Sequence, residues 1–417
     1  MNKNITDPTK FDFSYLDSLI ESRNKEELQR YISEFGLEIR DKKIIPKVEH
    51  VDAWRLAADY WDKRQLVRKI LLNSAYGALL NNHCRFWDKR IGQSVTLTGR
   101  QIVRHMNANI NEVITGEYDF TGAAIIYADT DSCYFSAYPI LKEEIDSGNM
   151  EWSKETAIQL YDSIADQINE GFPVFMEKAF HTPRKNGEII RAGRELVSDR
   201  SLFITKKRYA VNIFDKEGKR KDVDGKMGSI KAMGLDLKRA DTPKYVQEFL
   251  MNVLVMVLSG KQRDEVIEVI KDFKRKLSAQ DGWTKGSPKG VNKLTSYGDK
   301  EAASNTGRAN MPGHVRAALN WNYLRRVYAD NYSMKIVDGM KVVVCKLKPN
   351  ALGFTSIAYP TDELRLPQWF IDLPFNDDEM EHTLVDEKID NLLGVLGWDI
   401  RRNIDTNSTV DELFTFG

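Results

Sequence analysis

The sequence predicts an α+β protein with more than one domain. Three observations carry that prediction. From Val51 to Tyr76 apolar residues recur at helical spacing with no Gly or Pro to interrupt them. At 123–136 and again at 202–214, β-rich apolar runs flank short polar turns, the pattern of antiparallel hairpins. After Pro243 the pattern returns to helix. Helices, then paired strands, then helices again, over 417 residues, give segregated elements and room for two or three cores.

Taken in order, residues 14–44 carry helical signals, with Ser14 as a cap and Leu16, Leu19, Ile20, Leu28, Tyr31 and Ile32 as the apolar set. The long helix follows and is expected to stop near Gly77. A second helix spans 94–113. The 123–136 hairpin is built from Ala123-Ala124-Ile125-Ile126 and Cys133-Tyr134-Phe135 around Tyr127-Ala128-Asp129-Thr130-Asp131-Ser132. Residues 154–180 read as helix. Leu202-Phe203-Ile204 and Tyr209 to Phe214 read as strands. Residues 243–278 are mostly helical, 281–313 is rich in Gly, Ser, Lys and Asn and reads as loop, 314–329 is helix, and Lys341 to Cys345 is a strand.

Composition narrows the function. Apolar residues make up 42% and charged residues 29%, the balance of a globular protein in water. Lys plus Arg and Asp plus Glu are 61 each, so any surface for nucleic acid must be local. Three separated cysteines and six histidines offer neither a disulfide framework nor a zinc spacing, and the compartment is expected to be reducing. No signal-peptide core and no membrane-length apolar run is present.

The residues with chemical content form three groups. Asp129 and Asp131 are two apart at a turn, where two carboxylates repel unless a cation such as Mg2+ sits between them; a solvated turn is the competing reading. Lys69, Asn73 and Tyr76, with Gln65, share one helical face and suit a triphosphate and a base, or simply water. Thr205-Lys206-Lys207-Arg208-Tyr209 gathers cations in a strand context that can meet phosphate oxygens, or is ordinary basic surface. Glu195, in Arg191-Ala192-Gly193-Arg194-Glu195-Leu196, is a possible third carboxylate. Lys285, Lys289, Lys293 and Lys300, with Asn292 and Tyr297, form a loop that can grip duplex phosphates or is simply flexible and solvated.

KILLNSAYG, YADTDS and TKKRYA, in that order, resemble the motifs of the family B DNA polymerases of the T-even-like phage replicative type. Arg85-Phe86-Trp87-Asp88, Arg194 to Arg200, Met233-Gly234-Leu235, Thr242-Pro243-Lys244 and Pro312 to Arg316 extend the resemblance over nearly the whole chain. It implies a partial right-hand fold: the C-terminal part of helical fingers at 1–82, a palm with an antiparallel sheet at 83–240, a mostly helical thumb at 241–405, and a clamp-binding tail at 406–417. It implies DNA-directed nucleotidyl transfer with two Mg2+ ions, Asp129 and Asp131 as catalytic metal ligands, and Glu195 beside the second ion. Lys69, Asn73 and Tyr76 would meet the incoming dNTP. Lys206, Lys207, Arg208 and Tyr209 would grip the primer, with Lys244, Lys289 and Lys293 on DNA. Leu413, Phe414 and Phe416 would dock a sliding clamp. The implied location is cytoplasmic, that of the host cell if the chain is phage-encoded.

The resemblance has one gap. The family's first palm motif, Asp-x-x-Ser-Leu-Tyr-Pro-Ser, is missing, as is the exonuclease. Asp12-Phe13-Ser14-Tyr15-Leu16-Asp17-Ser18 imitates the motif without its Leu-Tyr-Pro-Ser core and instead resembles the middle of the fingers. The expectation is therefore the C-terminal half of a split polymerase, whose N-terminal partner supplies the missing carboxylate and the exonuclease. The alternatives are a self-sufficient mini-polymerase using Asp12, and a non-catalytic DNA- or clamp-binding remnant.

Overall fold

The structure is a computed structural model, and it describes residues 5–297 and 311–398. The chain divides into two compact units, residues 1–105 and 106–417.

In the first unit, α1 (Phe13–Glu21) and α2 (Lys25–Glu34) precede a hairpin of β1 (Leu37–Arg40) and β2 (Lys43–Pro46). Phe11, Leu16, Tyr31, Ile32, Phe35, Leu37 and Trp54 form their small core. The N-cap of α1 is Asp12, not Ser14: its Oδ1 accepts the amides of Ser14 and Tyr15 at 2.9 and 3.1 Å. The carboxylate that imitated a palm ligand is thus spent on a helix end. The helical expectation for 14–44 is corrected at its end: β1 and β2 are strands joined by a tight turn, Asp41-Lys42, both at positive φ, whose residue types give only a weak turn signal.

α3 (Val51–Leu80) is a single 30-residue helix. Gly77 does not end it; the glycine lies inside, with open space where a Cβ would be. Only Ala57 is buried along its length. α4 (Lys89–Thr115) begins in this unit and ends in the second.

In the second unit, β3 (Ile125–Asp129) and β4 (Ser132–Phe135) form a two-stranded antiparallel hairpin. α5 (Tyr138–Asp146), α6 (Lys154–Phe180) and α7 (Arg184–Gly187) follow. The main sheet contains β5 (Leu196–Thr205), β6 (Arg208–Lys216), β7 (Lys219–Arg220) and β8 (Ser229–Met233), with β6 pairing antiparallel to all three others. Because side chains alternate along a strand, β6 separates two cores. Tyr209, Val211 and Ile213 face Tyr127 and Tyr134 of the hairpin. Ala210 faces the apolar sides of α8 (Lys244–Leu258) and α9 (Arg263–Ser278). Burial on both faces explains its continuous apolar run.

A further module follows. β9 (Ser287–Gly290) pairs with β10 (Lys341–Lys346), which pairs with β11 (Ser356–Pro360). This sheet packs around α10 (Gly313–Val327), whose Trp321 is fully buried. α11 (Gln368–Ile371), α12 (Asp377–Glu381) and α13 (Glu387–Leu393) close the described chain, a π-helical turn at His382–Asp386 joining the last two. The expected loop at 281–313 is corrected in part: β9 lies within it, and Lys285 is not on its surface.

Among the described residues, no helix is long and apolar enough to cross a membrane.

Candidate active site

Two tight turns define the site in the second unit. In the first, Asp129 and Ser132 are cross-strand partners, so Thr130 and Asp131 alone make the loop. The Asp131 amide donates to the Asp129 carbonyl at 2.7 Å, and the Ser132 hydroxyl donates to the same oxygen at 3.2 Å. Thr130 sits at φ +56°. A β-branched residue there costs on the order of 1–3 kcal/mol, so the surrounding contacts hold this turn against its local preference. Asp131 is exposed and Asp129 half-buried.

The second turn joins β5 to β6. Thr205 pairs with Arg208, leaving Lys206 and Lys207 as a two-residue loop, with Lys207 at φ +63°. An aromatic cluster locks the turns together. Tyr127 and Tyr134 of the hairpin pack on Phe203 and Tyr209 of the sheet, with ring centroids 5.2–5.8 Å apart. The Lys207 amide donates to the Tyr127 hydroxyl at 2.8 Å. Lys207 Nζ then lies 3.8 Å from Asp129 Oδ2. On the far side, Gly234 at φ +65° leaves room for the turn: a Cβ there would lie 2.1 Å from the Lys207 carbonyl oxygen.

Lys206 and Lys207 are exposed, Lys207 at 67% of its side chain. Tyr209 is not available to a sugar in this arrangement. Its ring is buried and its hydroxyl accepts from Tyr134 at 3.4 Å. Burial, then that hydrogen bond, raises the Tyr134 hydroxyl pKa, with the Glu195 carboxylate adding to the effect. Arg208 turns inward to Asp236 at 3.6 Å, a carboxylate that Arg239 and Lys388 also approach. Glu195 accepts Lys231 Nζ at 3.1 Å. Among the described residues no three His, Cys, Asp or Glu side chains gather closely enough to hold a metal ion, so Glu195 does not complete a set with Asp129 and Asp131.

The donor chemistry fits a hard divalent ion in part. Two carboxylates on one strained turn offer oxygen ligands, and a lysine ammonium already answers one of them. Cys133 offers no competing soft ligand, because burial pushes its thiol up to about 12.

In the first unit, Lys69, Asn73 and Tyr76 do lie along one face of α3. Lys69 and Asn73 are exposed, and the Tyr76 hydroxyl bonds the Thr96 hydroxyl of α4 at 2.6 Å. Of the residues expected to touch DNA, Lys244 is exposed in the first turn of α8 and Lys293 is exposed at φ +62°. Lys289 is half-buried and pairs with Asp241 at 2.8 Å. Lys285 is 1% exposed and bonds Glu381 at 2.8 Å and the Ser278 carbonyl at 3.3 Å, so it is a structural residue. Lys300 and the tail residues Leu413, Phe414 and Phe416 lie outside the described residues.

Sequence reasoning missed Tyr127 as the joint between the turns. A signal existed: Tyr127 is two residues before Asp129, hence on its face of the strand.

The model of DNA polymerase family B matches residues 42–287, more than half of the chain and the whole of both turns. The chain belongs to that family. It is 30% identical over 322 residues to the DNA-directed DNA polymerase of Enterobacteria phage T4, a match covering 73% of this chain and 34% of that protein. It is 28% identical over 309 residues to the DNA-directed DNA polymerase of Escherichia phage RB69, covering 71% and 33%. DNA polymerase 1 of Pyrococcus abyssi is 29% identical over 217 residues, covering 52% and 22%. The chain therefore matches about a third of the length of its phage relatives. Within this family B chain, the matched stretch includes the carboxylate turn, the lysine turn and the aromatic cluster between them.

Proposed function

We propose that this chain is the C-terminal catalytic half of a DNA-directed DNA polymerase, with fingers sequence at 1–82, palm at 83–240 and thumb at 241–405. Its chemistry is nucleotidyl transfer from a dNTP to a primer 3′-hydroxyl. The observation that carries the reading is the Asp129-Thr130-Asp131 turn, held in a strained conformation and tied through Tyr127 to an exposed pair of lysines. Carboxylates beside phosphate-binding cations are what phosphoryl transfer requires.

Asp129 and Asp131 would hold Mg2+, which when bound supplies charge neutralisation and lowers the pKa of the primer hydroxyl. Glu195 serves as an auxiliary carboxylate after leaving Lys231. Lys206 and Lys207 meet primer phosphates, while Arg208 and Tyr209 support their turn from beneath. Lys69, Asn73 and Tyr76 of α3 contact the nucleotide. Positioning and electrostatics do most of the catalysis.

A pair of carboxylates from one segment is too few for the two-ion site. The remaining one comes from a palm segment outside these 417 residues, as does the exonuclease. Primer extension by the purified chain, with and without a polypeptide carrying Asp-x-x-Ser-Leu-Tyr-Pro-Ser, tests this. Extension only in the mixture is expected; equal extension by the chain alone refutes partner dependence. The tail with Leu413, Phe414 and Phe416 is proposed to dock a sliding clamp. Deleting 411–417 should then lower processivity on clamp-loaded template and spare distributive synthesis; unchanged processivity rejects the clamp dock.

A further inference from the structure

The Lys207 backbone is pinned while its side chain is not. Its amide is held by the Tyr127 hydroxyl at 2.8 Å, and its carbonyl packs against Gly234. The ammonium, on a four-carbon stem, is 67% exposed and rests 3.8 Å from Asp129 Oδ2. That separation is too long for a hydrogen bond, so this is a loose ion pair. Among the described residues, the other Asp129 carboxylate oxygen accepts only from the neighbouring Thr130 hydroxyl, at 3.3 Å. Lys206, beside it in the same loop, has no acidic partner within 4 Å among the described residues and faces solvent. The two lysines of one turn therefore differ: one is committed to solvent and one is shared with a carboxylate.

We propose that Lys207 is a resident counter-ion for Asp129, which it releases when a DNA phosphate takes the ammonium. Asp129 and DNA then compete for one cation. Whatever neutralises Asp129 frees Lys207 for DNA, and DNA that engages Lys207 leaves Asp129 more open to a divalent ion. The two binding events reinforce each other by reciprocal linkage. Tyr127 is the positioning residue, because it fixes the turn from which the ammonium can reach either partner. The inference rests on the polymerase reading of the same two turns.

The test is a double-mutant cycle on binding of a fluorescent primer-template to the full chain, by anisotropy at low salt with EDTA. Asp129→Asn should tighten binding about two- to fivefold when Lys207 is present. The same substitution should change nothing in a Lys207→Met background, and Lys207→Arg should restore the effect. Thermal unfolding of each variant checks that the fold is kept. If Asp129→Asn tightens binding equally in both backgrounds, simple repulsion of DNA by the carboxylate explains it and the counter-ion role is wrong. No change in either background also overturns the role. If wild type binds no primer-template either alone or mixed with the polypeptide carrying the first palm motif, the polymerase reading itself fails and takes this inference with it.

Discussion

Lys285 is 1% exposed, paired with Glu381 at 2.8 Å and approached by Asp377 at 3.5 Å. Removing one member of a buried pair leaves the other desolvated and alone. Lys285→Met should cost about 2–4 kcal/mol of stability, less than for a fully buried pair because Asp377 reaches solvent. It should leave the salt dependence of DNA binding as it was, which denaturant unfolding and a salt titration would check. A lysine in a Gly- and Lys-rich stretch looks like phosphate-binding surface, since the carboxylates that bury it are about a hundred positions later. Asp129 and Asp131 were legible because their relation is local: two apart, on a turn. Tyr209 and Arg208 were half-legible. Their motif was visible, but their direction depends on Tyr134 and Asp236, which no local pattern supplies.

At the scale of elements, the β3–β4 and β5–β6 hairpins and the long helices were readable, while the β1–β2 hairpin and the connections were not. α6 follows its predicted span, since helical periodicity is internal to the segment. β8 and β9 were missed because each is a strand only through a distant partner, β6 or β10. Gly234 shows how such contacts govern the site. It ends β8 at positive φ, directly against the Lys207 carbonyl. Gly234→Ala should destabilise the protein by about 2 kcal/mol or more, combining backbone strain with a backbone clash. It should also loosen the Lys207 amide from Tyr127. Amide hydrogen exchange at Lys207 faster than in the wild type, beyond any global loss of stability, is the expected signature; unchanged exchange would mean the turn does not depend on Gly234.

At the scale of the whole molecule, the chain's match to family B polymerases spans about a third of its phage relatives' length, and its candidate site is correspondingly partial. The described residues place two carboxylates on one turn and gather no third beside them. The absent motif was legible in the sequence. The Asp12 imitation was also separable there, and its capping of α1 gives that carboxylate a different task. The central claim is that Asp131 is catalytic once the palm is completed. The direct measurement is single-nucleotide incorporation by the chain mixed with a polypeptide carrying the first palm motif, comparing wild type with Asp131→Asn at equal complex concentration. The account predicts a loss on the order of a thousandfold, with the complex still formed. Incorporation by the variant at the wild-type rate would contradict it.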